Sequence, residues 1–118
     1  MRYFVILEGT QPAGPPPAEL MDAITRFGAE AGQAGVLIDT QGLAPSAGGA
    51  QVAVRGGELS VTDGPFAESK EMISYAIYDV RAKADAVEWT SRFMQLHRDL
   101  WPGWEGVSRV VPVFEMPS

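Results

Sequence analysis

Tyr3-Phe4-Val5-Ile6-Leu7 is five consecutive apolar residues, closed by Glu8 and Gly9. Side chains of a strand alternate between faces, so a run without alternation suits a strand covered on both sides. Val110 to Val113, near the other end of the chain, repeats the pattern and reads as part of a final strand over Val107 to Phe114. Two layers must therefore be found for these strands.

One layer comes from helices. Leu20, Ile24, Phe27 and Ala31 recur at spacings of four, three and four, which predicts a first helix after the proline-rich stretch Gln11 to Pro17. Lys83 to Leu100 predicts a second, with Ala86, Trp89, Phe93, Leu96 and Leu100 on one stripe and Pro102-Gly103 as its stop. Between the helices, Val36 to Ile38 reads as a short strand and Thr40 to Gly49 as a polar, glycine-rich connection. Gln51 to Arg55 and Glu58 to Thr62 flank Gly56-Gly57, where both positions can take the positive φ of a type I′ hairpin. Ile73 to Val80, rich in Ile, Tyr and Val, is a further strand.

The order strand, helix, strand, hairpin, strand, helix, strand predicts one α+β domain over residues 1–118. Its expected architecture is ferredoxin-like, a mostly antiparallel sheet with two helices on one face and added strands. Two helices cover one face only. The second layer is then a second copy of the chain, and a homodimer is expected.

Composition narrows the function. The chain has 118 residues, 46% of them hydrophobic, enough for one core without covalent staples. It has no cysteine and one histidine, His97, so neither a disulfide framework nor a zinc-type ligand cluster is available and no metal or cofactor is expected. The cysteine-free composition suits a reducing cytoplasm. Nine Lys and Arg against fifteen Asp and Glu give a net charge of −6, so nucleic acid and anionic membranes are not expected partners. The amino-terminal apolar run is too short for a secretory core, and nothing approaches the ~20 apolar residues of a membrane span. Gly48-Gly49 and Gly56-Gly57 lack the context and spacing of a phosphate-binding loop.

Asp63 to Glu71 reads DGPFAESKE. It resembles the DGPFAETKE signature of the DGPF-type, YCII-related proteins, and the resemblance extends to MRYFVIL, AGVLIDTQGLAPS, EMISYAIYDV and RVVPVFE along nearly the whole chain. The resemblance implies a dimeric, ferredoxin-like α/β-barrel, and a small-molecule site is expected in the cleft between sheet faces of the dimer. For function it implies two classes. One is a small-molecule-binding protein or enzyme of lyase, isomerase or dehydrochlorinase type. The other is a non-catalytic interaction protein linked to an extracytoplasmic-function sigma factor. The histidine of the wider group's active-site pair is expected in the first helix, where Leu20 to Ile24 contains none, and its aspartate after the first strand, where Glu8-Gly9-Thr10 stands.

Asp63 and His97 are the candidate pair that remains. An imidazole titrates near neutrality, and a carboxylate partner would fix its tautomer. Each has a structural alternative. His97 falls in the last turn of a helix, where it can complement the dipole or pack, and Asp63 before Gly-Pro can fold back onto backbone amides. Gly64, Pro65, Phe66, Glu68 and Lys70 are candidate ligand contacts. Gly64 and Pro65 read equally as backbone devices, Phe66 as a loop anchor, and Glu68 with Lys70 and Glu71 as exposed ion pairs. Trp101 and Trp104 cover the core edge or rim a pocket.

Overall fold

The computed structural model describes residues 1–10, 14–66 and 70–115. In chain order the elements are β1 (Arg2–Gly9), α1 (Ala18–Gln33), β2 (Leu37–Gly42), β3 (Ala50–Arg55), β4 (Glu58–Asp63), β5 (Glu71–Asp79), α2 (Lys83–Leu100) and β6 (Gly106–Pro112), with a short 3-10 turn at Ser46–Gly48. The four-stranded sheet runs β2-β5-β1-β6 and is antiparallel at every pairing. With the β3–β4 hairpin set aside, this is the strand order of a ferredoxin-like fold, and both helices pack on one face.

Burial along β1 alternates. Tyr3, Val5, Leu7 and Gly9 are buried beneath the helices, whereas Phe4, Ile6 and Glu8 point to the other side. Directly opposed residues of an antiparallel pair share a face. Ile77 and Val111 therefore flank Phe4, and Tyr75 and Arg109 flank Ile6. Phe4 and Tyr75 stack at 5.7 Å. Among the described residues no layer covers this second face, and Val107 and Val111 on it are 46% and 47% exposed.

The helix-side core joins Tyr3, Val5, Ala31, Tyr78, Val80 and Ala86. Phe27 of α1 meets Trp89 edge-on at 5.7 Å, and Arg92 lies over both rings while pairing with Glu30, so the two helices are clamped along one line. α1 ends in a Schellman pattern: Val36 N–H donates to the Ala31 carbonyl, Gly35 N–H to that of Gly32, and Gly35 takes φ 75°.

Three expectations change at the boundaries. The connection from Thr40 begins as strand, because β2 continues to Gly42 against Ser74 to Ala76 of β5. A polar stretch can still satisfy its backbone on a neighbouring strand, and composition hides that. The hairpin extends no existing sheet; β3 and β4 form a two-stranded ladder of their own. β6 stops at Pro112, two residues earlier than the run to Phe114 suggested.

At its tip the hairpin turns as the sequence predicts, with φ of 57° at Gly56 and 79° at Gly57. Changing both to valine places β-branched residues in the left-handed region, at about 1–2 kcal/mol each. Since the ladder is separate from the main sheet, the expected result is faster amide exchange across residues 50–63 with a smaller drop in melting temperature. Unchanged exchange there would mean that the tip tolerates the substitution.

Candidate functional site

A cleft of about 660 Å³ opens where the end of β1, the start of β6 and the last turns of α2 converge. Ser91, Met94, Gln95 and Arg98 reach it from α2, and Trp104 closes one side. Glu8, Glu105, Val107 and Lys70 complete much of the lining. The volume lies within the range of small-molecule sites.

Glycine makes the wall possible. Gly9 and Gly106 face each other in the β1–β6 ladder. A Cβ on Gly106 would fall 2.4 Å from the Trp104 ring, and one on Gly9 would meet Ile73 at 3.0 Å and the Glu105 carbonyl at 3.1 Å. The indole therefore lies directly against the sheet end. Trp104 also stacks near His97, at 4.7 Å, and Trp101 at 6.0 Å. Its Nε1–H is buried without a hydrogen-bond acceptor among the described residues.

His97 lies behind that indole. It is 4% exposed, Phe93 packs edge-on at 4.7 Å, and the ring Nδ1 is 2.9 Å from the Phe93 carbonyl. A carbonyl only accepts, so Nδ1 carries the hydrogen and Nε2 keeps its lone pair. Burial pushes the His97 pKa below its ordinary value, opposed by the Phe93 carbonyl. A neutral imidazole contributes little to the helix dipole, so the packing alternative prevails over the dipole one.

Charge in the cleft is mixed but unevenly available. Arg109 lies 3.3 Å from Glu8 and offsets its carboxylate. Arg98 pairs with Asp99 at 2.8 Å on the exposed surface, and this contact raises the Arg98 pKa and lowers that of Asp99. Lys70 supplies a cation, Arg98 a second one shared with Asp99, Glu105 a carboxylate, Ser91 and Gln95 neutral hydrogen-bonding groups, and Trp104, Met94 and Val107 an apolar wall. Such a lining can hold an anionic head beside a planar or aliphatic body.

The DGPF stretch is divided between architecture and cleft. Asp63 ends β4 opposite Ala50 and is exposed; its carboxylate makes no hydrogen bond among the described residues, so the expected fold-back onto backbone amides is not seen there. Gly64 N–H donates instead to the Gly49 carbonyl at 2.9 Å, and a Cβ on Gly64 would stand 1.8 Å from the Ser46 carbonyl oxygen. Pro65 follows a cis peptide bond and is exposed. Half-buried Phe66 sends its N–H to Ser46 Oγ at 3.4 Å. Glu71 Oε1 accepts from Ser46 Oγ at 2.8 Å and Ser46 N–H at 3.3 Å. Glu68 lies outside the described residues. Of the motif's described residues, Lys70 lines the cleft and Asp63, Gly64, Pro65 and Phe66 do not. No hydrogen bond or ion pair joins Asp63 to His97 among the described residues.

Sequence reasoning passed over Ser46 and the polar edge of α2. Ser46 acts through residues 20 and 25 positions away, which no local pattern signals. Arg98, Gln95 and Ser91 lie off the apolar stripe of the second helix and drew no reading; the available signal was the pairing of Gly9 and Gly106 at strand ends next to a tryptophan.

Residues 1–116 match the YCII-related domain. The chain belongs to the YCII-related family. Among curated proteins, no match is found. In this YCII-related chain the DGPF segment fastens the hairpin base to the Ser46 turn and delivers Lys70 to the cleft.

Proposed function

We propose that this YCII-related protein is a homodimer that binds a small organic anion in the cleft between α2 and the β1–β6 sheet end. The observation that carries the reading is one space of about 660 Å³ whose lining includes Lys70, Arg98 and Trp104. Cations fix an anionic head by charge-assisted hydrogen bonds, and an indole face favours a planar or apolar body. Dimerisation through the Phe4, Ile6, Tyr75 and Ile77 face is the natural companion, because Glu8 and Val107 belong both to that face and to the cleft lining. A second subunit there would narrow the cleft mouth.

Chemistry beyond binding enters the proposal through His97, whose Nε2 is the one imidazole nitrogen able to accept a proton. Trp104 must move off the ring for a ligand to reach it. Asp63, proposed as its partner, would need a shift of the hairpin base.

Native mass spectrometry followed by denaturing release should show twice the chain mass and a small co-purified acid. Calorimetric titration with a panel of small carboxylic acids should then give a binder. Lys70→Ala and Arg98→Ala should each weaken that binder about tenfold or more, the value of a lost charge-assisted contact. Trp104→Ala should do likewise. A released ligand whose affinity is indifferent to all three substitutions would sink the cleft reading, and no ligand from either experiment would favour the interaction-protein class.

A further inference from the structure

The β3–β4 hairpin carries four aliphatic side chains where a soluble ribbon would carry polar ones. Val52 opposes Val61 and Val54 opposes Leu59, so all four share one face. They are 64%, 67%, 71% and 70% exposed respectively. Gln51, Ser60 and Thr62 lie on the opposite face. An isolated two-stranded hairpin is marginal in water, yet this one forms six paired positions with its apolar side uncovered.

The molecule as a whole is expanded for its length. The radius of gyration is 16.2 Å, against about 13.5 Å for a compact chain of this length. Extents of 46 × 45 × 18 Å describe a flat body.

We infer that the hairpin is an arm that lays its Val52, Val54, Leu59 and Val61 face on a second copy of this chain. The inference rests on the sheet-face dimer proposed above and extends it. Area argues for that occupant. Four strands of about seven residues present a flat face of only roughly 400 Å² in the plane of the sheet, at the small end for a stable interface. The arm's apolar face adds about 200 Å², and the ground covered by the partner's arm about 200 Å² more. With both arms the in-plane contact area of each subunit about doubles. A two-fold dimer supplies both at once, because each arm has an identical counterpart. A second copy is also the partner present in fixed proportion whenever the chain folds, which a permanently apolar ribbon requires.

Two experiments test the arm on the full chain. Val54→Lys with Leu59→Lys leaves the monomer fold intact, since both side chains are largely exposed. Sedimentation should show the dimer dissociating at least about 100-fold more readily, with the circular dichroism of the folded chain retained. Separately, Leu59→Cys in this cysteine-free chain accepts a benzophenone label, and irradiating a mixture of ¹⁵N-labelled and ordinary chains should give cross-linked peptides of mixed isotope. A dimer indifferent to the double lysine change, or cross-links confined to one isotope, overturns the arm and leaves the sheet-face dimer standing. A wild-type chain that sediments as a monomer at 100-micromolar order overturns both.

Discussion

Gly64→Ala should cost about 3 kcal/mol or more of folding stability, lowering the melting temperature by roughly 10 °C or more. The cause is space and not dihedral angle, since Gly64 is not among the glycines with positive φ. The added methyl would lie 1.8 Å from the Ser46 carbonyl oxygen and 2.7 Å from its carbon. Both are backbone atoms, so no rotamer change relieves the clash. Either the Ser46–Gly48 turn or the end of β4 must move, and both carry hydrogen bonds: Gly64 N–H to the Gly49 carbonyl, Gly49 N–H to the Ser46 carbonyl, and Ser46 N–H and Oγ–H to the Glu71 carboxylate. Gly28→Ala is the matching control. It sits within α1 with nothing within 4 Å of its Cβ position, so alanine there should stabilise by up to ~1 kcal/mol through helix propensity. Equal effects from the two substitutions, read from urea midpoints, would mean that the loop adjusts freely and that Gly64 is not held by Ser46.

That contrast shows where the sequence is informative. The non-alternating Tyr3 to Leu7 run required two covering layers, and the helices supply one of them. Gly56-Gly57 specified its turn because two positive φ angles demand that residue type. These features are local or periodic. The Ser46–Glu71 lock is neither, for serine in a glycine-rich connection looks like any loop residue until the chain brings residue 71 beside it. The polar tail of β2, Thr40 to Gly42, was hidden for the same reason: its strand character comes from β5. Along α2 the apolar stripe included Ala86, which is buried, and ran on to Leu96 and Leu100, whereas the other buried positions are Thr90 and His97. Two polar residues on the inward stripe rotate the apparent face, and the cleft residues Ser91, Met94, Gln95 and Arg98 fall outside the stripe that apolar spacing picks out.

His97→Ala should destabilise by about 2–4 kcal/mol, as expected for removing a buried ring between two aromatic neighbours. His97→Phe should cost much less, because the packing against Phe93 and Trp104 survives and only the Nδ1–H to the Phe93 carbonyl is lost. The pH dependence separates titration from packing. Unfolded, the imidazole takes a proton near its ordinary value of 6.5; folded, burial holds its pKa lower. Between those two values the unfolded chain binds more protons, so stability must rise with pH and be lost as pH falls below 6.5, levelling off under the folded pKa. As the chain's one histidine, His97 dominates that window, above the range of ordinary carboxylates. Melting curves from pH 7.5 to 5.5 should slope in the wild type and flatten in His97→Phe. The opposite slope, stability gained on acidification and abolished by Asp63→Asn, would mean a raised pKa and an imidazolium paired with a carboxylate. In that case Asp63 reaches His97 in solution, and the buried, neutral ring behind Trp104 is not its working state.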